Sequence, residues 1–185
     1  MNGKIIKSQK ELYYVKADEN TYMCKARGNF RKRGIKPLVG DNAVIDIQDD
    51  KKAYITEILE RKNEIKRPNI ANIDQILVFV TISNPPLYLY NLDKYLAMCE
   101  YEDIGVVIIL TKKDLADSKQ IRKLTKTYES LDYKLISIDN YNDFPEDTIR
   151  EILYAKTSAV SGASGVGKST FLNNLVEREL EIGEI

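Results

Sequence analysis

The chain has 185 residues, 28 Lys/Arg balanced by 28 Asp/Glu, two cysteines and no histidine. Cys24 and Cys99 are too few and too far apart for a Cys/His zinc site, and both lie beside apolar residues, so buried free thiols in a reducing compartment are expected. No apolar run approaches the roughly 20 residues of a membrane span, and the N-terminus carries no apolar signal segment, so a cytoplasmic protein without a membrane partner is expected.

The charge is unevenly spread. Residues 1–70 hold 16 Lys/Arg and 10 Asp/Glu, a net of +6, and the rest of the chain carries a net of −6. That asymmetry suggests a basic module, suited to a polyanion, joined to a more acidic one. Within the basic part, short apolar stretches at 10–17, 21–26, 42–48 and 53–59 alternate with turn signals. This pattern predicts a small five-stranded barrel of the OB type, a fold often used on nucleic acid.

Between two of these strands, residues 25–36 carry Lys25, Arg27, Arg31, Lys32, Arg33 and Lys36 with Phe30 among them and no acid. The cations could meet RNA phosphates while Phe30 stacks on a base. A solvated hairpin loop explains the same residues. Residues 60–72 are polar and broken by Pro68, which places a boundary between domains at 1–68 and 69–185.

Beyond the boundary the pattern becomes strand–helix alternation. Continuous apolar runs at 75–83, 105–110 and 133–138, and a shorter one at 157–161, predict strands buried on both faces. Helices are expected with Asn91 as cap and Leu92, Tyr95, Leu96 and Cys99 inward; after Asp117, with Ile121, Leu124, Tyr128 and Leu131 inward; and from Pro145 through Ile149, Ile152 and Leu153. Such alternation implies an α/β fold: a mostly parallel sheet with flanking helices and ligands at the carboxyl ends of the strands.

The last strand runs into Gly162, Ala163, Ser164, Gly165, Val166, Gly167, Lys168, Ser169 and Thr170. This fits Gly-x-x-x-x-Gly-Lys-Ser/Thr, the phosphate-binding P-loop. Glycines let successive N–H groups turn toward phosphate oxygens. Lys168 can reach the β- and γ-phosphates, and the Ser169 hydroxyl can ligate Mg²⁺. The helix expected over 169–181, with Phe171, Leu172, Leu175, Val176 and Leu180 on one face, adds its dipole. Lys168 and Ser169 are therefore the candidate catalytic residues.

A second motif, Thr111-Lys112-Lys113-Asp114, follows the strand at 105–110. It fits Asn/Thr-Lys-x-Asp, in which the Asp accepts from guanine N1–H and its exocyclic NH₂ while the Lys stem covers the base. Adenine lacks that donor pair, so the carboxylate would be left unpaired. The next strand ends at Ser137-Ile138-Asp139, the place for a backbone N–H facing guanine O6, with Ser137 and Ile138 as the candidates. The residues alone leave open a P-loop kinase or ATPase, or an RNA-binding module with a vestigial nucleotide site. In ordinary GTPases the P-loop precedes the guanine motif. Here Asp114 precedes Gly162, which implies a circular permutation that leaves the neighbours in the sheet unchanged.

Taken with Pro37-Leu-Val-Gly-Asp41, Arg61-Lys-Asn63, Arg67-Pro68, Ala71-Asn-Ile-Asp-Gln75, Leu92-Asp-Lys-Tyr-Leu96 and Asn173, the chain resembles the ribosome small subunit-dependent GTPase A family along its whole length. The resemblance implies an OB domain followed by a permuted GTPase domain, with GTP or GDP and Mg²⁺ as ligands. It also implies partnership with the small ribosomal subunit and its rRNA late in maturation, hydrolysis stimulated by that subunit, and action as a monomer. Family members continue past the position of Ile185 into switch I, an Asp-x-x-Gly switch II and a Zn²⁺ domain. None of these is in the sequence, so a truncated chain that hydrolyses GTP poorly is expected, with zinc only in the further domain.

Overall fold

In the computed structural model, all residues are described except 29, 31–33, 50, 51, 67 and 183–185. They form two compact units, Met1–Ile73 and Asp74–Ile185.

The first unit is a closed five-stranded barrel: β1 (Asn2–Gln9), β2 (Leu12–Ala17), β3 (Asn20–Ala26), β4 (Asn42–Asp49) and β5 (Lys52–Ile58). Its order is β1-β2-β3-β5-β4, returning to β1. All pairs are antiparallel except β3 with β5, which runs parallel. Closure leaves no sheet edge to aggregate. Alternation sends Ile5, Tyr13, Val15, Cys24, Ile45 and Ile55 into the core. A register shift between Ile5 and Lys7 keeps Ile5 inside and turns Ile6 out.

Residues 60–72 are more than a linker. β6 (Glu64–Lys66) and β7 (Asn69–Ala71) pair as a short hairpin that straddles residue 68. Arg61 donates to the fully buried Asp41 carboxylate through Nε at 2.7 Å and Nη2 at 2.9 Å, and through Nη2 to the Lys36 carbonyl at 2.7 Å. The Leu38 N–H also donates to Asp41 at 2.7 Å. A buried carboxylate is tolerable only with such a full set of donors.

The second unit is a four-stranded parallel sheet of β8 (Gln75–Val80), β9 (Gly105–Leu110), β10 (Lys134–Ser137) and β11 (Ser158–Gly162), ordered β10-β9-β8-β11. The helices are α1 (Leu89–Tyr101), α2 (Ser118–Glu129), α3 (Glu146–Leu153) and α4 (Lys168–Ile182). Every residue of β8 is buried, as its unbroken apolar run requires.

Three local expectations change. Asn91 lies within the first turn of α1, whose N-cap is Tyr88 without a side-chain cap bond. Asp117 does cap α2, accepting the Lys119 N–H at 3.0 Å. Leu131 lies past the end of α2 and is exposed, and Leu172 and Val176 of α4 are exposed as well, while Phe171 is buried with Leu175 packed beside it; the Leu180 side chain lies outside the described residues.

Candidate nucleotide-binding site

The strands are parallel, so the turns after β9, β10 and β11 emerge on the same side of the sheet. The P-loop leaves β11 through Gly162, whose φ is +145°. A Cβ there would lie 2.4 Å from the Phe79 carbonyl oxygen of β8. Gly165 and Gly167 have φ of +78° and +93°, and a Cβ on Gly167 would come within 2.9 Å of Asn140 Nδ2. Only glycine adopts these angles without strain. Val166 is buried in the sheet core while residues 163–165 remain exposed. The loop therefore arches outward from an apolar foot.

Lys168 folds back across the loop. Its Nζ donates to the Gly162 carbonyl at 2.8 Å and the Ala163 carbonyl at 2.7 Å. Two of the three ammonium donors are satisfied there, and one is left for an anion. Ser169 is exposed in the first turn of α4, and Thr170 is half-buried. The helix is set by Phe171, which packs edge-on against Phe79 with centroids 4.9 Å apart and against Phe144 at 5.4 Å.

The Thr-Lys-Lys-Asp turn meets this loop. Thr111 is buried, and its hydroxyl donates to the Val166 carbonyl at 2.6 Å. Thr111 is thus a tie between turn and loop with no surface left for a base. Lys112 is in the left-handed region, with φ 54° and ψ 43°, and its Nζ donates to the Asn84 carbonyl at 2.9 Å. Lys113 forms an ion pair with Asp143. Asp114 is exposed in the 3₁₀ turn Lys113–Leu115.

The loop after β10 is built differently from the sequence expectation. Ile138 is fully buried, and its N–H already donates to the Leu110 carbonyl at 2.8 Å. It has no amide left for a ligand. Ser137 ends β10 and is half-buried. The organising residue is Asp139, which the sequence places at the strand end without a role for its side chain. Its carboxylate accepts from the Tyr141 N–H at 2.9 Å, the Asn142 N–H at 3.3 Å and Asn142 Nδ2 at 2.8 Å. The Asn142 amide, then the Tyr141 N–H, hold that carboxyl below its ordinary pKa. Asn140 Nδ2 reaches the Gly167 carbonyl at 3.3 Å, and Asn174 of α4 donates to the Asn140 carbonyl at 2.7 Å. The Asp-Asn-x-Asn-Asp pattern at 139–143 was the available signal, because Asx side chains hold their own turns.

In the barrel, Phe30 corrects an expectation. It is 7% exposed and part of the barrel core, so it serves packing and offers no stacking platform. Arg31, Lys32 and Arg33 lie outside the described residues. Lys25, Arg27 and Lys36 line a cavity of about 660 Å³ together with Lys10 and Tyr13. Arg27 is also paired with Asp46 at 2.7 Å, half exposed. Among the described residues no cluster of three His, Cys, Asp or Glu could hold a metal ion, and no helix is long and apolar enough to cross a membrane.

Residues 58–185 match the family described as RsgA GTPase, and residues 2–55 match the RsgA N-terminal domain. The Small ribosomal subunit biogenesis GTPase RsgA of Alkaliphilus metalliredigens is 38% identical over 99% of this chain. RsgA 2 of Listeria innocua is 41% identical over 95% of it. The chain spans 64% and 60% of the lengths of these two relatives. Among solved structures, YjeQ from Thermotoga maritima is similar with a TM-score of 0.79 and 31% identity, covering 93% of this chain and 63% of that one. YloQ, described as a circularly permuted GTPase, is similar with a TM-score of 0.72 and 37% identity over the same shares.

Proposed function

The chain belongs to the RsgA GTPase family, and from that premise we propose that it binds guanine nucleotide between residues 111–114, 139–140 and 162–170, and that the protein hydrolyses GTP to GDP and phosphate in the maturation of the small ribosomal subunit. The observation that carries the reading is the Thr111–Val166 hydrogen bond. It joins a base-reading turn and a phosphate loop, which occur in reversed chain order, into one site.

The Asp114 carboxylate accepts from guanine N1–H and NH₂, and the Lys112 stem covers the base. The Asn140 N–H, the next amide after those of Ile138 and Asp139 are spent on Leu110 and Asp143, faces guanine O6. P-loop amides and Lys168 take the phosphate oxygens and stabilise charge that develops on them. The exposed hydroxyl of Ser169, at the foot of the glycine cradle, fits Mg²⁺, an oxygen-seeking ion that is commonly held by one or two side-chain oxygens and by phosphates. When bound, Mg²⁺ neutralises phosphate charge.

The barrel docks on rRNA through Lys25, Lys36 and the neighbouring cations, and the protein acts in the cytoplasm as a monomer. These assignments are supported by the net charge of residues 1–70 and by the small-subunit biogenesis role for which the relatives are named. Competition binding tests the nucleotide reading: GDP should bind and resist excess ADP. ADP binding that GDP fails to displace would favour a P-loop kinase or ATPase instead.

A further inference from the structure

We infer that Tyr141 forms one wall of the base pocket and stacks on the guanine ring, opposite the stem of Lys112; this rests on the guanine-nucleotide reading and adds a residue to it. Tyr141 is the tip of a five-residue loop that the mutual backbone bonds of Asp139 and Asp143 close at 3.2 and 3.1 Å. Asp139 accepts the Tyr141 N–H itself at 2.9 Å. Lys113 ties Asp143 to the Thr-Lys-Lys-Asp turn. Asn140 bonds the P-loop at Gly167, and Asn174 of α4 bonds Asn140. The loop is thus fixed both to the turn that reads a base and to the loop that holds phosphates.

On this fixed backbone the Tyr141 side chain is 85% exposed. A large amphipathic ring left to water contributes nothing to packing, yet Asp139, Asn140, Asn142, Asp143, Lys113 and Asn174 all spend polar side-chain contacts on holding its loop. Of the other strongly exposed tyrosines, Tyr88 and Tyr90 lie at the start of α1, Tyr101 at its end and Tyr154 just beyond α3. Lys112 is restrained on its own side by a left-handed backbone and its bond to Asn84. An open aromatic face on one turn and a restrained alkyl stem on the turn that carries Asp114 suit the two faces of a planar purine. Stacking of this kind ignores the base edge, so Tyr141 would add affinity while Asp114 adds selectivity.

The chain contains no tryptophan, so Tyr141→Trp installs a lone indole reporter. Its emission should be quenched saturably by GDP and left unchanged by ADP. Tyr141→Ala should weaken GDP binding about 5- to 150-fold, the range for losing one base–aromatic stack. Tyr141→Phe should bind within about twofold of the parent, because the ring face is retained. Equal GDP affinity of the parent and Tyr141→Ala, or an indole whose emission saturating GDP leaves unchanged, would overturn the inference. If the parent chain itself bound no GDP, the guanine reading would fail, and the Tyr141 assignment with it.

Discussion

The Thr111 hydroxyl donates to the Val166 carbonyl at 2.6 Å, deep in the sheet, where both residues are almost wholly buried. Thr111→Val keeps the shape and removes the donor. The buried carbonyl is then left without that partner, at a cost of about 1–3 kcal/mol. Thermal unfolding should shift down, and GDP affinity should fall by about tenfold, because the base turn and the phosphate loop lose their shared reference. Calorimetry and a GDP titration on the variant check both effects. An unchanged GDP affinity would mean the two motifs are positioned independently.

Gly162 tests the P-loop backbone. Gly162→Ala places a methyl 2.4 Å from the Phe79 carbonyl in a conformation with φ of +145°. The neighbour is backbone of a fully buried strand, so relief requires β11 to shift. We expect a loss of about 1–3 kcal/mol in denaturant unfolding and a larger proportional loss in nucleotide binding. Gly28→Ala, with open space around its Cβ, is the matched control and should change neither.

Much of this was legible in the sequence. The buried strands announce themselves as unbroken apolar runs, and the two motifs fall at the carboxyl ends of β9 and β11, where a parallel sheet places ligands. What failed depends on three-dimensional accounting. Phe30 lies in a basic run and looks like a stacking platform, but a small barrel needs large side chains to fill its interior. Ile138 stands at the place for an O6-facing amide, yet the parallel ladder with β9 takes that N–H for Leu110. The polarity that marks residues 60–72 as a boundary in the sequence comes partly from Arg61, Asn63 and Asn72, whose partners no sequence pattern announces. Those side chains bond the barrel and hairpin backbone: Asn63 pairs with Ile73 at 2.9 and 3.0 Å, and Asn72 reaches the Gly40 carbonyl at 3.1 Å.

The two cysteines give a prediction with a defined pH window. Burial raises Cys24 to about 11, and burial with the nearby Glu100 raises Cys99 to about 11, from an ordinary 9.0. A pKa raised on folding means that the folded state holds its proton more tightly. This contribution to stability is complete below pH about 9 and is lost as the pH rises from 9 toward 11. Neither thiol should react with a disulfide reagent at pH 7.5 while the chain is folded, and both should react after denaturation. Rapid labelling of the native chain would contradict the packing described for β3 and α1.

On the barrel, the cations differ in what they can offer. Arg27 is engaged by Asp46, whereas Lys25 and Lys36 line the same cavity and have no ion pair among the described residues. Lys25→Glu combined with Lys36→Glu should weaken binding to small-subunit RNA and flatten its salt dependence by about one unit of log slope per lost phosphate contact. Arg27→Ala should have the smaller effect. Binding and salt slope that both stay at parent values would leave the 25–36 segment as a solvated loop.

The central claim is that Asp114 selects guanine in a site assembled by Thr111 and the P-loop. Nucleotide preference of Asp114→Asn tests it most directly. An amide presents a donor where the carboxylate accepts, so the variant should lose GDP affinity by at least tenfold and gain preference for xanthosine diphosphate, whose C2 oxygen replaces the NH₂ group. The P-loop contacts should be untouched. Retention of parental GDP affinity and no gain for xanthosine diphosphate would show that the Thr111–Asp114 turn does not read the base.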